Sequence, residues 1–176
     1  MKNLGKIFED DVKQSCKKEG LFIHRLKDNA MSYTESDSIY TTKNDYDFLV
    51  YKKPILLALE LKHTTYPSIS IQVSEDVPER MIKWHQIQGL LKASKYDGIH
   101  AGFLLSFSSE ELNKEFTYYI SIQNFMRFLN RTTKKSITAV DIMSNGGIRV
   151  NQVLLRTHYH YQLSDLLNTL IASSGE

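Results

Sequence analysis

A chain of 176 residues, 41% hydrophobic and 24% charged, has the balance of a soluble globular protein and the length for one domain with a substantial core. A net charge of +2 gives no general argument for a polyanionic partner, and the single cysteine, Cys16, excludes an internal disulfide and a multi-cysteine zinc site. No apolar run approaches the ~18 residues of a membrane span, and the N-terminus reads as a helix rather than a signal peptide, so a cytoplasmic location without a membrane partner is expected.

Leu4, Ile7, Phe8 and Val12 recur at helical spacing and predict a helix over 4–19, with Asn3 as its cap and Gly20 at its end. LFIHRLK (21–27) reads as a strand. Residues 28–45 are rich in Asp, Asn, Ser and Thr with little periodicity and predict a long loop or flexible arm. Strands at 46–52 and 55–62 are joined so tightly, through Lys53 and Pro54, that they form an antiparallel hairpin. A polar connection over 63–75 has room for a short strand at 69–73. DVPE (76–79) carries an Asp cap, an early Pro and a later Glu, and predicts a helix from about Asp76 to about Tyr96. Further strands are expected at 99–107 and 115–122, a short helix at 123–131, a turn at 145–147 and a terminal helix at 163–171. No internal repeat is visible, and the order of elements gives an α/β fold in one domain, 1–176.

The stretch ILLALELKH (55–63) is the most apolar strand, yet Glu60 and Lys62 leave it on the same side. Burying such charges costs several kcal/mol unless partners compensate. The hairpin brings Asp47, thirteen residues earlier, beside Glu60. Two adjacent carboxylates repel unless a proton or a cation lies between them, and oxygen ligands favour magnesium or manganese over zinc. Lys62 would then orient a metal-bound water or offset charge on a phosphoryl oxygen. The same three residues also read as a strand-end salt bridge and the start of a turn.

Gln86 shares a helical stripe with Ile82, Gly89, Leu90 and Ala93 and is expected to point inward, bonded to backbone or holding a water or phosphate beside the metal. Glu9 follows Phe8 at the edge of the first helix's buried stripe, as an exposed residue or a further ligand. Basic groups include Arg25, Lys27, Lys43, Lys52 and Lys53, either solvated faces or phosphate contacts for DNA. His158 and His160 alternate on an expected strand and read as ordinary histidines or as metal ligands; His63 and His85 border the acidic residues. Cys16 reads as a packing residue, and Tyr33, Tyr40 and Tyr46 as packing or base-stacking groups around the arm.

Taken together, GKIFED (5–10), DFLVYK (47–52), ELKHT (60–64), HQIQGL (85–90) and YDGIHAGFLLSF (96–107) resemble the PD-(D/E)xK nuclease superfamily, and within it the RecU group of Holliday junction resolvases. The resemblance is collinear over roughly residues 5–130; the last forty or so are not matched. It implies a restriction-endonuclease-like core, a central mixed β-sheet flanked by helices with a projecting arm between the first two strands. It also implies a homodimer that cleaves phosphodiesters with Mg2+, Mn2+ substituting, and leaves 5′-phosphate and 3′-hydroxyl ends. Asp47 and Glu60 carry over as metal ligands, with Lys62, Gln86 and Glu9 completing the catalytic set. RecU-like proteins have a stalk that enters the junction centre; the corresponding segment, about 25–45, looks shorter here and lacks a strongly basic run. The expectation is a structure-selective endonuclease for four-way junctions in recombination and repair, with branched double-stranded DNA and recombination proteins as partners. Another endonuclease of the superfamily, of restriction or repair type, and a non-cleaving junction-binding modulator are the alternatives.

Overall fold

Asn3 opens the first helix, α1 (Leu4–Lys18), its side-chain oxygen accepting the Lys6 amide at 3.1 Å; Gly20, at φ +68°, turns the chain out of it. Phe8, Val12 and Cys16 recur every fourth residue and are buried, so α1 lays one stripe on the sheet. The computed structural model describes residues 3–26, 29–31, 40–42, 44–109 and 114–173. After α1 comes the edge strand β1 (Phe22–Arg25), then β2 (Asn29–Met31) and β3 (Tyr40–Thr42), which pair antiparallel with Asn29 opposite Thr42. The segment expected as an irregular arm therefore begins and ends as a two-stranded ribbon. Lys27, Lys43 and Tyr33 lie outside the described residues.

The hairpin forms as expected. β4 (Phe48–Lys52) pairs antiparallel with β5 (Ile55–Thr64), from Phe48↔Leu59 to Lys52↔Ile55. Next comes β6 (Ser68–Ser70) and then α2, which spans Trp84–Ala93 only. The helix expected from Asp76 thus starts eight residues later. A tertiary contact overrides the local cap signal: Ile82 bridges to Ile71, with the Ile82 amide on Ser70 and the Gln72 amide on the Ile82 carbonyl. Gln72 secures both sides of this connection. Its side chain donates to the Val77 carbonyl at 2.7 Å and accepts the Trp84 amide at 3.1 Å.

β7 (Ile99–Ser109) runs parallel to β5, and β8 (Lys114–Ser121) returns antiparallel to β7. α3 (Ile122–Arg131), capped by Ser121, is followed by β9 (Ser136–Thr138), which pairs with β6, and by α4 (Ala139–Ser144). β10 (Ile148–Val150) closes the sheet beside β8. A hairpin of β11 (Gln152–Leu155) and β12 (His158–Tyr161) leads to α5 (Leu163–Ser173). The result is a six-stranded mixed sheet in the order β1-β4-β5-β7-β8-β10, flanked by helices. No described helix is long and apolar enough to cross a membrane.

Two cores lie on opposite faces. Leu57, Leu59 and Leu61 pack with α1 and α5, whereas Ala58 packs with Ile87 and Leu90 of α2 and Phe125 of α3. This alternation sends Glu60 and Lys62 to the α2 face. Packing on β7 leaves no room for a side chain at Gly102, where a Cβ would lie 2.4 Å from the Ile120 carbonyl oxygen and 2.7 Å from the Tyr119 ring. Gly102→Ala is expected to destabilise the protein by about 3 kcal/mol, measured by urea denaturation.

Candidate active site

Asp47 stands one residue before β4, so continuing the Phe48↔Leu59 register sets it directly across from Glu60. Three contacts fix it. Its amide donates to the Leu59 carbonyl at 3.0 Å, its carbonyl accepts the Leu26 amide at 2.9 Å, and its Oδ2 accepts the Leu61 amide at 2.8 Å. Glu60 is 1% exposed. Its Oε1 accepts hydrogen bonds from Lys62 Nζ, at 2.6 Å, and from Gln86 Nε2. Gln86 is gripped at its other end, because its Oε1 accepts the Lys83 amide at 2.9 Å and closes the first turn of α2. The inward glutamine read from the helical stripe has a specific partner: the carboxylate itself.

The electrostatics follow from burial. Desolvation, opposed by the Lys62 ammonium and reinforced by the Asp47 charge, pushes the Glu60 carboxyl up to about 8. The two carboxyl groups are within hydrogen-bonding reach of each other. Glu9 joins them from α1: burial and the nearby Asp47 charge raise its pKa, while Arg25 opposes the rise. Arg25 Nη2 lies 2.6 Å from Glu9 Oε2, so this half-exposed cation is already paired at the carboxylate end of the hairpin.

The pair suits a hard cation. Two oxygen-bearing side chains face each other in a setting that penalises their joint ionisation, and a divalent ion relieves that repulsion. Among the described residues no group of three or more His, Cys, Asp and Glu side chains is arranged to hold a metal. One or two carboxylates completed by water is the usual mode of magnesium, whereas zinc prefers a closed nitrogen and sulfur set.

Lys52 and Lys53 lie at the closed end of the hairpin, roughly 17 Å along β4 from Asp47 at the usual strand rise. Lys52 Nζ donates to Asn168 Oδ1 of α5 at 2.6 Å, and Lys53 is exposed in the turn. His63 follows Lys62 but points to the opposite face, where its Nε2 lies 3.6 Å from Glu115 Oε2. Tyr161 donates to the other oxygen of Glu115 at 2.5 Å. Burial would raise the Glu115 pKa, but the neighbouring His63 and the hydrogen bond from Tyr161 outweigh it and hold the group low. His158 and His160 face Asp11, at 2.7 Å, and Glu19, at 3.4 Å, so the alternating histidines clamp β12 to α1. Cys16 is fully buried in the α1 core, which pushes its thiol up to about 12, and Tyr46 packs against the α2 core. His85 lies half-buried in the first turn of α2.

Two site-building residues escaped sequence reasoning. Gln72, which anchors the start of α2, carried only the weak signal of an amide between Ile71 and Val73. Asp45 meets Gly89 of α2 closely enough to exclude a side chain there, a contact with no local signature.

The fold is similar to that of the Archaeoglobus fulgidus protein Hjc, a Holliday junction resolvase from an archaeal hyperthermophile. The TM-score is 0.52 with 16% identity, covering 82% of this chain and 95% of that one. No protein-family profile matches the chain. Over 181 residues, 96% of this chain and 87% of the relative, it is 32% identical to the SPbeta prophage-derived uncharacterized protein YotM of Bacillus subtilis strain 168, and the chain belongs to the YotM family.

Proposed function

We propose that the protein is a divalent-metal-dependent DNA endonuclease that resolves four-way junctions in recombination and repair, in the manner of the RecU group. The observation that carries this reading is the buried Glu60, set across from Asp47 and bonded by both Lys62 and Gln86, on a fold shared with a junction resolvase. Asp47 and Glu60 would hold Mg2+ or Mn2+, which when bound supplies a nucleophilic water at neutral pH and neutralises charge on the scissile phosphate.

The chain's own groups do the rest. Gln86 locks the Glu60 carboxylate in one orientation, so no ordering is required when substrate arrives. Lys62, tethered to the same oxygen, places its ammonium where it aligns the attacking water and offsets the charge growing on the phosphoryl oxygen. In-line attack expels the 3′ oxygen, which takes its proton from water and leaves a 5′-phosphate. Glu9 and Arg25 pair with each other beside the site, Glu9 adding negative potential near Asp47, and Arg25 would offer a cation to the DNA backbone. A homodimer would bring two such sites to a junction and suit paired, symmetric cuts.

The test is direct. Full-length protein with Mg2+ is expected to introduce paired symmetric nicks into a synthetic four-way junction and to leave linear duplex of the same sequence largely intact. Equal cutting of the duplex would overturn junction selectivity in favour of a restriction- or repair-type enzyme. Tight junction binding with no cutting in Mg2+ or Mn2+ would overturn the enzyme reading in favour of a junction-binding modulator.

A further inference from the structure

We propose that Gly89 is a positioning residue for the carboxylate pair, and that α2 sets the relation between Asp47 and Glu60 from a single helix face; this rests on reading the pair as a metal site. Gln86 of α2 holds Glu60. Three residues on, the buried Gly89 lies against Asp45, two residues before Asp47. A Cβ at position 89 would fall 2.1 Å from the Asp45 Cβ, 2.6 Å from its Cγ and 3.0 Å from its Cα.

The Cα and Cβ positions are set by the backbone, so no rotation of the Asp45 side chain clears them. A methyl group at 89 has two exits. Either the segment carrying Asp45 lifts off α2 and strains the backbone bonds that seat Asp47 on Leu59 and Leu26, or α2 lifts and draws Gln86 away from Glu60. Both exits pull the constellation apart. Helix propensity argues for the opposite outcome, because alanine is favoured over glycine inside a helix. Retaining glycine here therefore reflects the close approach rather than the helix.

The experiment measures Mn2+ binding to the full chain by calorimetry, which does not depend on cleavage. Wild type binds; Gly89→Ala is expected to bind at least about tenfold more weakly, and adding Asp45→Gly, which removes the opposing Cβ, to restore affinity to within about threefold. Adding Asp45→Ala instead, which keeps the Cβ and removes the charge, is expected not to rescue. Wild-type affinity in Gly89→Ala, or equal rescue by Asp45→Ala, overturns the positioning role. If Gly89→Ala unfolds by circular dichroism, Asp45→Gly must restore folding, and failure to do so also overturns it. Absence of Mn2+ binding by wild type overturns the metal-site reading, and this proposal with it.

Discussion

Glu60→Gln is expected to abolish Mn2+ binding and to cut DNA cleavage by roughly 10³-fold or more, the scale of losing several kcal/mol of transition-state charge stabilisation. It is also expected to make the metal-free protein more stable. Glu60 is lifted to about 8, chiefly by burial. An unfolded glutamate releases its proton near pH ~4.3. Between those values the folded state carries the extra proton, so the stability present at low pH is lost as pH rises. Glutamine has no such loss: its carbonyl still accepts from Lys62 and Gln86, and its amide can donate to Asp47. In EDTA the variant should pull ahead of wild type as pH rises, by on the order of 5 kcal/mol at the alkaline end. Mg2+ should narrow the gap by stabilising wild type alone. Thermal melts across pH, with and without Mg2+, test this; a variant less stable than wild type in alkaline EDTA, or one that binds Mn2+ normally, refutes it.

Lys62→Met is expected to separate chemistry from metal binding. Its ammonium contacts Glu60 and cannot ligate a cation, so at alkaline pH, where Glu60 is ionised in both proteins, Mn2+ binding should survive while cleavage falls by about 10²- to 10³-fold. The sign of the pH effect follows from the same contact. Lys62 is the largest influence opposing the rise in the Glu60 pKa, so its removal leaves that carboxyl protonated to higher pH. Residual cleavage by the methionine variant should therefore need more alkaline solution than cleavage by wild type. Single-turnover rates across pH, with calorimetric Mn2+ titrations, check both parts. An unchanged rate would remove Lys62 from the mechanism, and an acid-shifted profile would contradict its electrostatic role.

What could be read in the chain was local. The α1 stripe, the hairpin and the strand at Ile99 announced themselves through periodicity and turn residues, and hairpin register alone set Asp47 beside Glu60. What escaped depended on distant partners. α2 starts later than its cap signal because Ile82 is drawn into a bridge with Ile71, and helical spacing around DVPE carries no sign of that pairing. β9, α4 and β10 are three to six residues long, too short for a periodic signal, and β9 owes its form to pairing with β6. Gln86 could be placed inside, but its bond to Glu60 joins residues 26 apart. The pairing of Arg25 with Glu9 and the approach of Asp45 to Gly89 likewise arise only when β1, α1 and α2 converge.

The backbone bond between Leu26 and Asp47 has one more consequence. The excursion that includes the β2–β3 ribbon leaves and rejoins the sheet at a single point, as an insert does in a cassette. Lengthening, shortening or exchanging the β2–β3 ribbon need not move the acid at its base, provided Asp45 keeps its seat on Gly89, because Asp47 is anchored by Leu26, Leu59 and Leu61. On the proposed reading, exchanging the ribbon would change what the protein grips without disturbing the Asp47–Glu60 pair.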